Sequence, residues 1–195
     1  MTHPKMLGLL ALAAAALMAF AGVAHATVVT SPAGTTYTGE VKAELENGHG
    51  ILHSENAPTA FTIECNAASA GKVEKHGSGV TAGGNLSSLT ITNCTNGATI
   101  VVNKAGSVEV HSLGGGNGTL TSSGAEITIH VPILNIKCIY TTNNTDVGTM
   151  TGGTPATVDI NSATIPRTGG SAFCGTGAFV TGSFKFTTPA SGFVS

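Results

Sequence analysis

Apolar and polar residues alternate with a period of two along most of this chain, in short runs bounded by Gly, Asn and Pro, and that period belongs to half-buried strands. Thr35 to Val41 is one such run. Ala60 to Cys65 places Phe61, Ile63 and Cys65 on one face, and Leu86 to Cys94, Ala98 to Val102 and Ser107 to Leu113 follow. Thr119 to Ser122, Glu126 to Val131, Leu134 to Tyr140, Ala156 to Asn161 and Ala178 to Thr187 complete the series. No apolar stripe of helical period and length occurs after residue 26. The pattern predicts an all-β fold of about ten strands, an antiparallel β-sandwich or Greek-key barrel. Two-residue turns are expected at Asn47-Gly48 and near Gly114-Gly115-Gly116, and Pro132 should end a strand because it has no N–H to donate. The strongest alternating positions predict a core of Phe61, Ile63, Leu89, Ile91, Val108, Val110, Ile127, Ile129, Ile136, Ile160, Phe179, Phe184 and Phe186.

The first 26 residues follow another rule. A short polar start containing Lys5 leads into an Ala-rich apolar run from Met6 to Val23, then into Ala24-His25-Ala26, a small-x-small cleavage pattern. This reads as a cleaved signal peptide, 1–26, followed by a single domain, 27–195. A retained anchor is the alternative, and no retained membrane span is expected. With no cysteine near residue 26 and no sorting signal at the C-terminus, the expected location is secreted or cell surface.

Composition narrows the partners. Only 9% of residues are charged, and the net charge is −2. Nucleic acid needs clustered Lys and Arg; here the basic residues are scattered singly, so nucleic acid is excluded. Four cysteines behind an export signal imply two disulfides rather than thiolate chemistry or zinc. Their pairing has an internal guide, a worn duplication. Phe61-Thr62-Ile63-Glu64-Cys65 matches Leu134-Asn135-Ile136-Lys137-Cys138, and each half closes on a cysteine beside a glycine turn, at Cys94 to Gly97 and Cys174 to Gly177. Of the three possible connectivities, the simplest joins Cys65 to Cys94 and Cys138 to Cys174. Each bridge would then stabilise the fold by roughly 3 to 4 kcal/mol on the chain-entropy account.

The leader, the first strand rich in Thr and Gly, the two cysteine-bounded β segments and the closing C-G-T-G-A-F-V-T-G-S-F-K-F resemble a loose group of small secreted β-rich bacterial proteins. That group includes the pseudomonad alkane-oxidation activator and matrix-associated proteins. The resemblance implies an extracellular or cell-surface protein tied to biofilm or to growth on hydrophobic substrates. It carries over no catalytic residue.

Candidate chemistry is sparse. His49, His53, His76, His111 and His130 form no metal or catalytic motif. His49 and His53 are four apart, which on a strand separates them by about 13 Å, too far for one ion. Glu109 shares a strand face with His111, as a solvated polar face would, and His130 is expected to cap an edge strand. Glu40, Glu44 and Glu46 lie on one strand and its following hairpin, Asp146 and Asp159 stand alone in polar loops, and Thr141 to Asp146 lacks the acidic spacing of a calcium loop. With no Trp and only Tyr37 and Tyr140, no aromatic platform for sugars is present. The expectation is therefore a non-enzyme without catalytic, metal or cofactor residues. It would act by self-association, or by contact with a matrix or hydrophobic interface. The alternatives are a fimbrial-type subunit that donates an N-terminal strand, a secreted ligand-binding protein, or a hydrolase.

Overall fold

Successive side chains of a strand point to opposite sides, so a chain written as alternating apolar and polar residues can hide every apolar face at once by curling its sheet into a tube. The computed structural model shows that solution. It describes residues 27–32, 34–46, 48–58, 60–76 and 81–195, with backbone only at Lys75 and His76; the expected signal peptide lies outside them. The strands are β1 (Val29–Thr30), β2 (Gly39–Leu45), β3 (Gly50–Glu55), β4 (Thr62–Val73), β5 (Lys75–His76), β6 (Ala82–Thr92), β7 (Thr99–Lys104) and β8 (Ser107–Gly114). They continue as β9 (Asn117–Ser123), β10 (Glu126–Val131), β11 (Ile136–Thr141), β12 (Thr145–Thr151), β13 (Thr157–Gly170), β14 (Gly177–Thr188) and β15 (Phe193–Val194).

Pairing reduces these strands to a closed eight-strand antiparallel barrel. Several consecutive strands are two halves of one stave. β2 and β3 both run antiparallel to β14 and to β4, end to end. β7 continues into β8 opposite the continuous β9–β10, and β11 continues into β12. The staves in order are β2–β3, β4, β6, β7–β8, β9–β10, β11–β12, β13 and β14, and β14 returns to β2–β3. Each stave neighbours the next in sequence. The connections are therefore up-and-down, not Greek-key, because every link is short enough only to reach an adjacent stave.

The turns explain where the expected hairpins form. Gly115 and Gly116 both have positive φ, 63° and 88°, as a two-residue turn between β8 and β9 requires, and Gly114 pairs with Asn117 across it. No hairpin forms at Asn47-Gly48. Asn47 lies outside the described residues, and β2 and β3 on either side of it run in the same direction within one stave. Pro132 ends β10 and starts the 3-10 turn Pro132–Leu134, which delays the next strand to Ile136. β10 is hydrogen-bonded on both sides, so His130 sits on an interior strand rather than at an edge; β7 is the edge.

Two apolar clusters fill the ends of the tube. At one end Phe61, Ile63, Ile129, Val131, Ile136, Cys138, Tyr140 and Cys174 pack together, capped by the 3-10 turns Thr95–Gly97, Pro132–Leu134 and Ala172–Cys174. Disulfides Cys65–Cys94 and Cys138–Cys174 lie here, and among the described residues no cysteine is free. At the other end Val73, Ala82, Val110, Leu120, Met150 and Val158 surround Val29 and Val194. The first and last described strands cross that opening: β1 pairs with β15, and Gly116 and Gly153 bridge to Val194 and Gly192.

Of the expected core, Phe179 is the exception. Ala178, Val180, Phe184 and Phe186 face inward, so strict alternation turns Phe179 outward beside His53 and Thr164. Alternation is shifted elsewhere by bulges. Ser162 takes φ 57° where the register between β13 and β14 slips, which lets both Ile160 and Ala163 face the interior.

Truncating Phe61, which is buried, should lower stability by about 3–5 kcal/mol in denaturant unfolding with disulfides intact. Phe184→Ala should lose only about 1–2 kcal/mol, because that ring borders open space and forfeits fewer contacts. Tyr140 supplies a pH test. Burial pushes its hydroxyl up to about 12, with Arg167 opposing, so the folded state favours the neutral phenol. Stability should be complete below pH 10 and fall as pH rises from 10 toward 12. Tyr140→Phe should flatten that part of the profile.

Candidate functional site

Between the two end clusters the barrel is hollow. The space measures about 330 Å³, within the roughly 300 to 1,000 Å³ typical of ligand sites. Its origin is legible residue by residue. Ala43 on β2, Ala67, Ser69 and Gly71 on β4, and Gly84 on β6 put small groups on the inner face of one wall. Leu86, Leu89 and Ile91 on β6, Ile100 on β7, Leu120 on β9, and Val180, Phe184 and Phe186 on β14 supply larger apolar surface around them. Small inner groups on β2, β4 and the start of β6 leave volume that the larger side chains around them do not fill.

The sequence reading missed the small-residue wall. It ended a strand at Cys65, whereas β4 continues through Asn66-Ala67-Ala68-Ser69-Ala70-Gly71-Lys72-Val73. Ala and Gly are poor strand formers, and here pairing to β2 on one side and β6 on the other outweighs that preference. The signal was present as alternation of small residues. β12 was missed for a related reason, its T-D-V-G-T-M-T being polar at most positions, yet Val147 and Met150 both face inward across a bulge.

Polar atoms at this space are mostly engaged with the protein itself. Ser122 and Thr142 share a hydrogen bond of 3.0 Å, and the Ala125 N–H donates to Thr142 Oγ1. The Tyr140 hydroxyl donates to the Cys174 carbonyl, 3.2 Å away, and Tyr140 is 1% exposed. Among the described residues, Ser69 and Thr181 are the lining residues whose hydroxyls make no hydrogen bond to the protein. Lys72 borders the space through its backbone while its side chain stands in solvent, since Gly71 and Val73 take the inner positions. An interior with so few free polar groups offers water little, and such cavities stay dry or take apolar guests.

The outer face is the opposite. Glu40, Lys42 and Glu44 on β2, Thr62 and Glu64 on β4, Thr90 and Thr92 on β6, and Thr149 and Thr151 on β12 are exposed. Lys42–Glu40 and Lys185–Glu44 pair at 3.1 and 3.5 Å on this surface. A membrane-spanning barrel carries an apolar band outside and polar residues inside; this one is apolar inside and polar outside. No helix among the described residues is long and apolar enough to cross a membrane.

The residues considered for chemistry are dispersed. His49 is exposed; His53 Nδ1 lies 2.8 Å from Thr62 Oγ1 on the outer face; His111 and Glu109 share the outside of β8; His130 is exposed on β10. The side chain of His76 lies outside those described. Among the described residues, no group of three or more His, Cys, Asp or Glu is placed to hold a metal ion. Asp159 on β13 accepts a hydrogen bond from Ser183 on the outer surface, and Asp146 lies on the adjoining β12, so both stand on strands rather than in the expected loops. Polar side chains do meet on the outside, where Thr99, Asn103, Thr128, His130 and Lys137 line one depression across β7, β10 and β11; what the interior brings together is apolar surface. No protein-family model, curated protein or solved structure matches the chain.

Proposed function

We propose that this chain is an exported, non-catalytic binding protein that holds a small, uncharged, apolar molecule inside its barrel. One observation carries the reading: a closed barrel with a polar exterior keeps an apolar hollow of about 330 Å³ between two well-packed ends. Interiors normally pack to crystal-like density, and a hollow left unfilled forfeits dispersion contacts. Retaining one is useful when a guest supplies those contacts. Two disulfides fit an oxidising compartment, and export is the route the leader suggests.

Self-association at a cell surface or in an extracellular matrix is the second reading, and one feature favours it. β7 pairs on one side only, with β10, and Val101 on its outer face is 57% exposed. An edge of this kind is a template for another strand. Donation of an N-terminal strand to a neighbour is less well supported, because Val29–Thr30 is already paired with Phe193–Val194 and Val29 is buried.

The folded mature chain should enhance the fluorescence of N-phenyl-1-naphthylamine in a saturable, one-to-one manner. Ser69→Phe, which fills the hollow from its small-residue wall, should abolish the enhancement and leave thermal stability equal or higher. At a probe concentration of 100 times Kd, wild-type unfolding should be opposed by about 2.7 kcal/mol more free energy. A folded wild-type chain that gives no saturable enhancement refutes the binding reading.

A further inference from the structure

We infer that the unpaired seam between β6 and β7 is the port through which a slender, uncharged, apolar molecule reaches the barrel interior. This rests on the binding reading above and adds the route and the restriction on charge. Of the other seven seams, six are joined along their length, and the one between β11–β12 and β13 lapses between Tyr140↔Arg167 and Thr149↔Asp159 but is held by a ladder on either side of the lapse. At the β6/β7 seam the ladder stops after Asn85↔Ser107 and one further bond from the Leu86 N–H to the Gly106 carbonyl, 2.9 Å. Beyond it, residues 86–92 pair only with β4, and β7 pairs only with β10. At a rise of about 3.3 Å per residue, the open stretch is about 20 Å long. The turn Thr95–Gly97 closes its far end, anchored to β4 by Cys65–Cys94.

The internal duplication shows that closure was geometrically available. Cys65 lies on β4, the second stave of the first half, and Cys138 on β11–β12, the second stave of the other. Cys94 and Cys174 each lie in the connection between the third and fourth staves of their halves. The seam equivalent to β6/β7 is therefore β13/β14, and that seam is hydrogen-bonded through Ala163↔Val180, Thr164↔Phe179, Ile165↔Ala178 and Pro166↔Gly177. One half has its seam closed and the other has it open. The open one leads to the hollow: Leu89 and Ile91 on one lip and Ile100 on the other line it and are half-buried. Both barrel ends are plugged, by Val29 and Val194 below and by Phe61 and Val131 above, all buried. The restriction on charge follows from the lining. Among the described residues that line the hollow, the one titratable side chain directed inward is Tyr140, already committed to a backbone carbonyl. A carboxylate or ammonium drawn inside would lose its water with no partner to replace it.

The test uses stopped-flow binding of N-phenyl-1-naphthylamine to the mature chain. Ile100→Trp and Leu89→Trp narrow the seam from opposite lips, and because the chain has no Trp, each also reports folding and energy transfer to the bound probe. Each should slow association and dissociation by roughly tenfold, since a narrowed port raises the barrier in both directions; both side chains also line the hollow, so the equilibrium affinity of each variant is measured separately and the rates are read against it. Val29→Ala, in the lower plug, should leave both rates unchanged. Decanol should displace the probe at a concentration at least roughly tenfold below that of decanoate at pH 8, given the cost of an unpaired buried charge. Rates that respond to Val29→Ala and not to the lip variants overturn the port, while leaving the binding reading intact. Equal competition by decanoate overturns the restriction on charge. A wild-type chain that sediments as a dimer, excludes the probe and becomes monomeric on Val101→Pro has a strand of a second copy in the seam, which also overturns the port. If one lip variant fails to fold, the other answers the same question.

Discussion

The seam between β14 and the broken stave β2–β3 is the contact on which the structure depends. It joins the last long strand to the first through Phe184↔Leu45 to Thr188↔Lys42 at one end and Gly177↔Glu55 to Thr181↔Ile51 at the other. Without it the staves would form an open curled sheet with two long edges and an apolar face exposed to water. With it, each inward side chain faces a common interior. A continuous stave would keep one alternation from Gly39 to Glu55, whereas the division into β2 and β3 lets Ala43 and Leu52, of opposite parity, both face inward.

Much of the architecture was legible because it rests on local alternation. Ile127 and Ile129, or Val108 and Val110, announce both a strand and its buried face. What was not legible rests on long-range pairing. Nothing in the sequence between β2 and β3 distinguishes a hairpin from a link within one stave; the difference lies in β4 and β14, which pair with both strands. Phe179 shows a second limit. Ala178 to Thr187 is apolar at odd and even positions, and only the pairing of Phe179 with His53 and Thr164 assigns it to the polar face.

The hollow was the least legible feature, since it is made by residues that carry little hydrophobic signal. A search for a core favours Phe, Ile and Leu, and these gather at the ends and along β14 and β10. Ala67, Ser69, Gly71 and Gly84 matter because of the volume they do not occupy. Some of these positions are also fixed by backbone contact. A Cβ on Gly84 would fall against the Lys72 carbonyl, and one on Gly71 within 2.8 Å of the Asn85 carbonyl, so β4 and β6 approach closely there only because both residues are glycine. Close approach and an inner face without bulk come from the same substitution-intolerant sites.

Keeping such a space open in a chain of modest size sets a mechanical problem, because inward collapse would recover the missing dispersion contacts. The disulfides address it where the wall is weakest. β6 loses its partner on one side from Leu86 onward, and Cys94, immediately beyond its end, is tied to Cys65 on β4. The free lip is thereby fixed to a strand that is paired on both sides. Across the barrel, Cys138–Cys174 fastens the connection before β14 to β11 beneath the same capped end. The two staples thus hold equivalent connections in the two halves, one beside a closed seam and one beside an open seam. Constraining the open seam at its upper end leaves its middle, around Leu89 and Ile100, as a part of the wall with no backbone ladder across it. Local opening in proteins is drawn from such low-stability segments, and in this barrel that segment borders the interior.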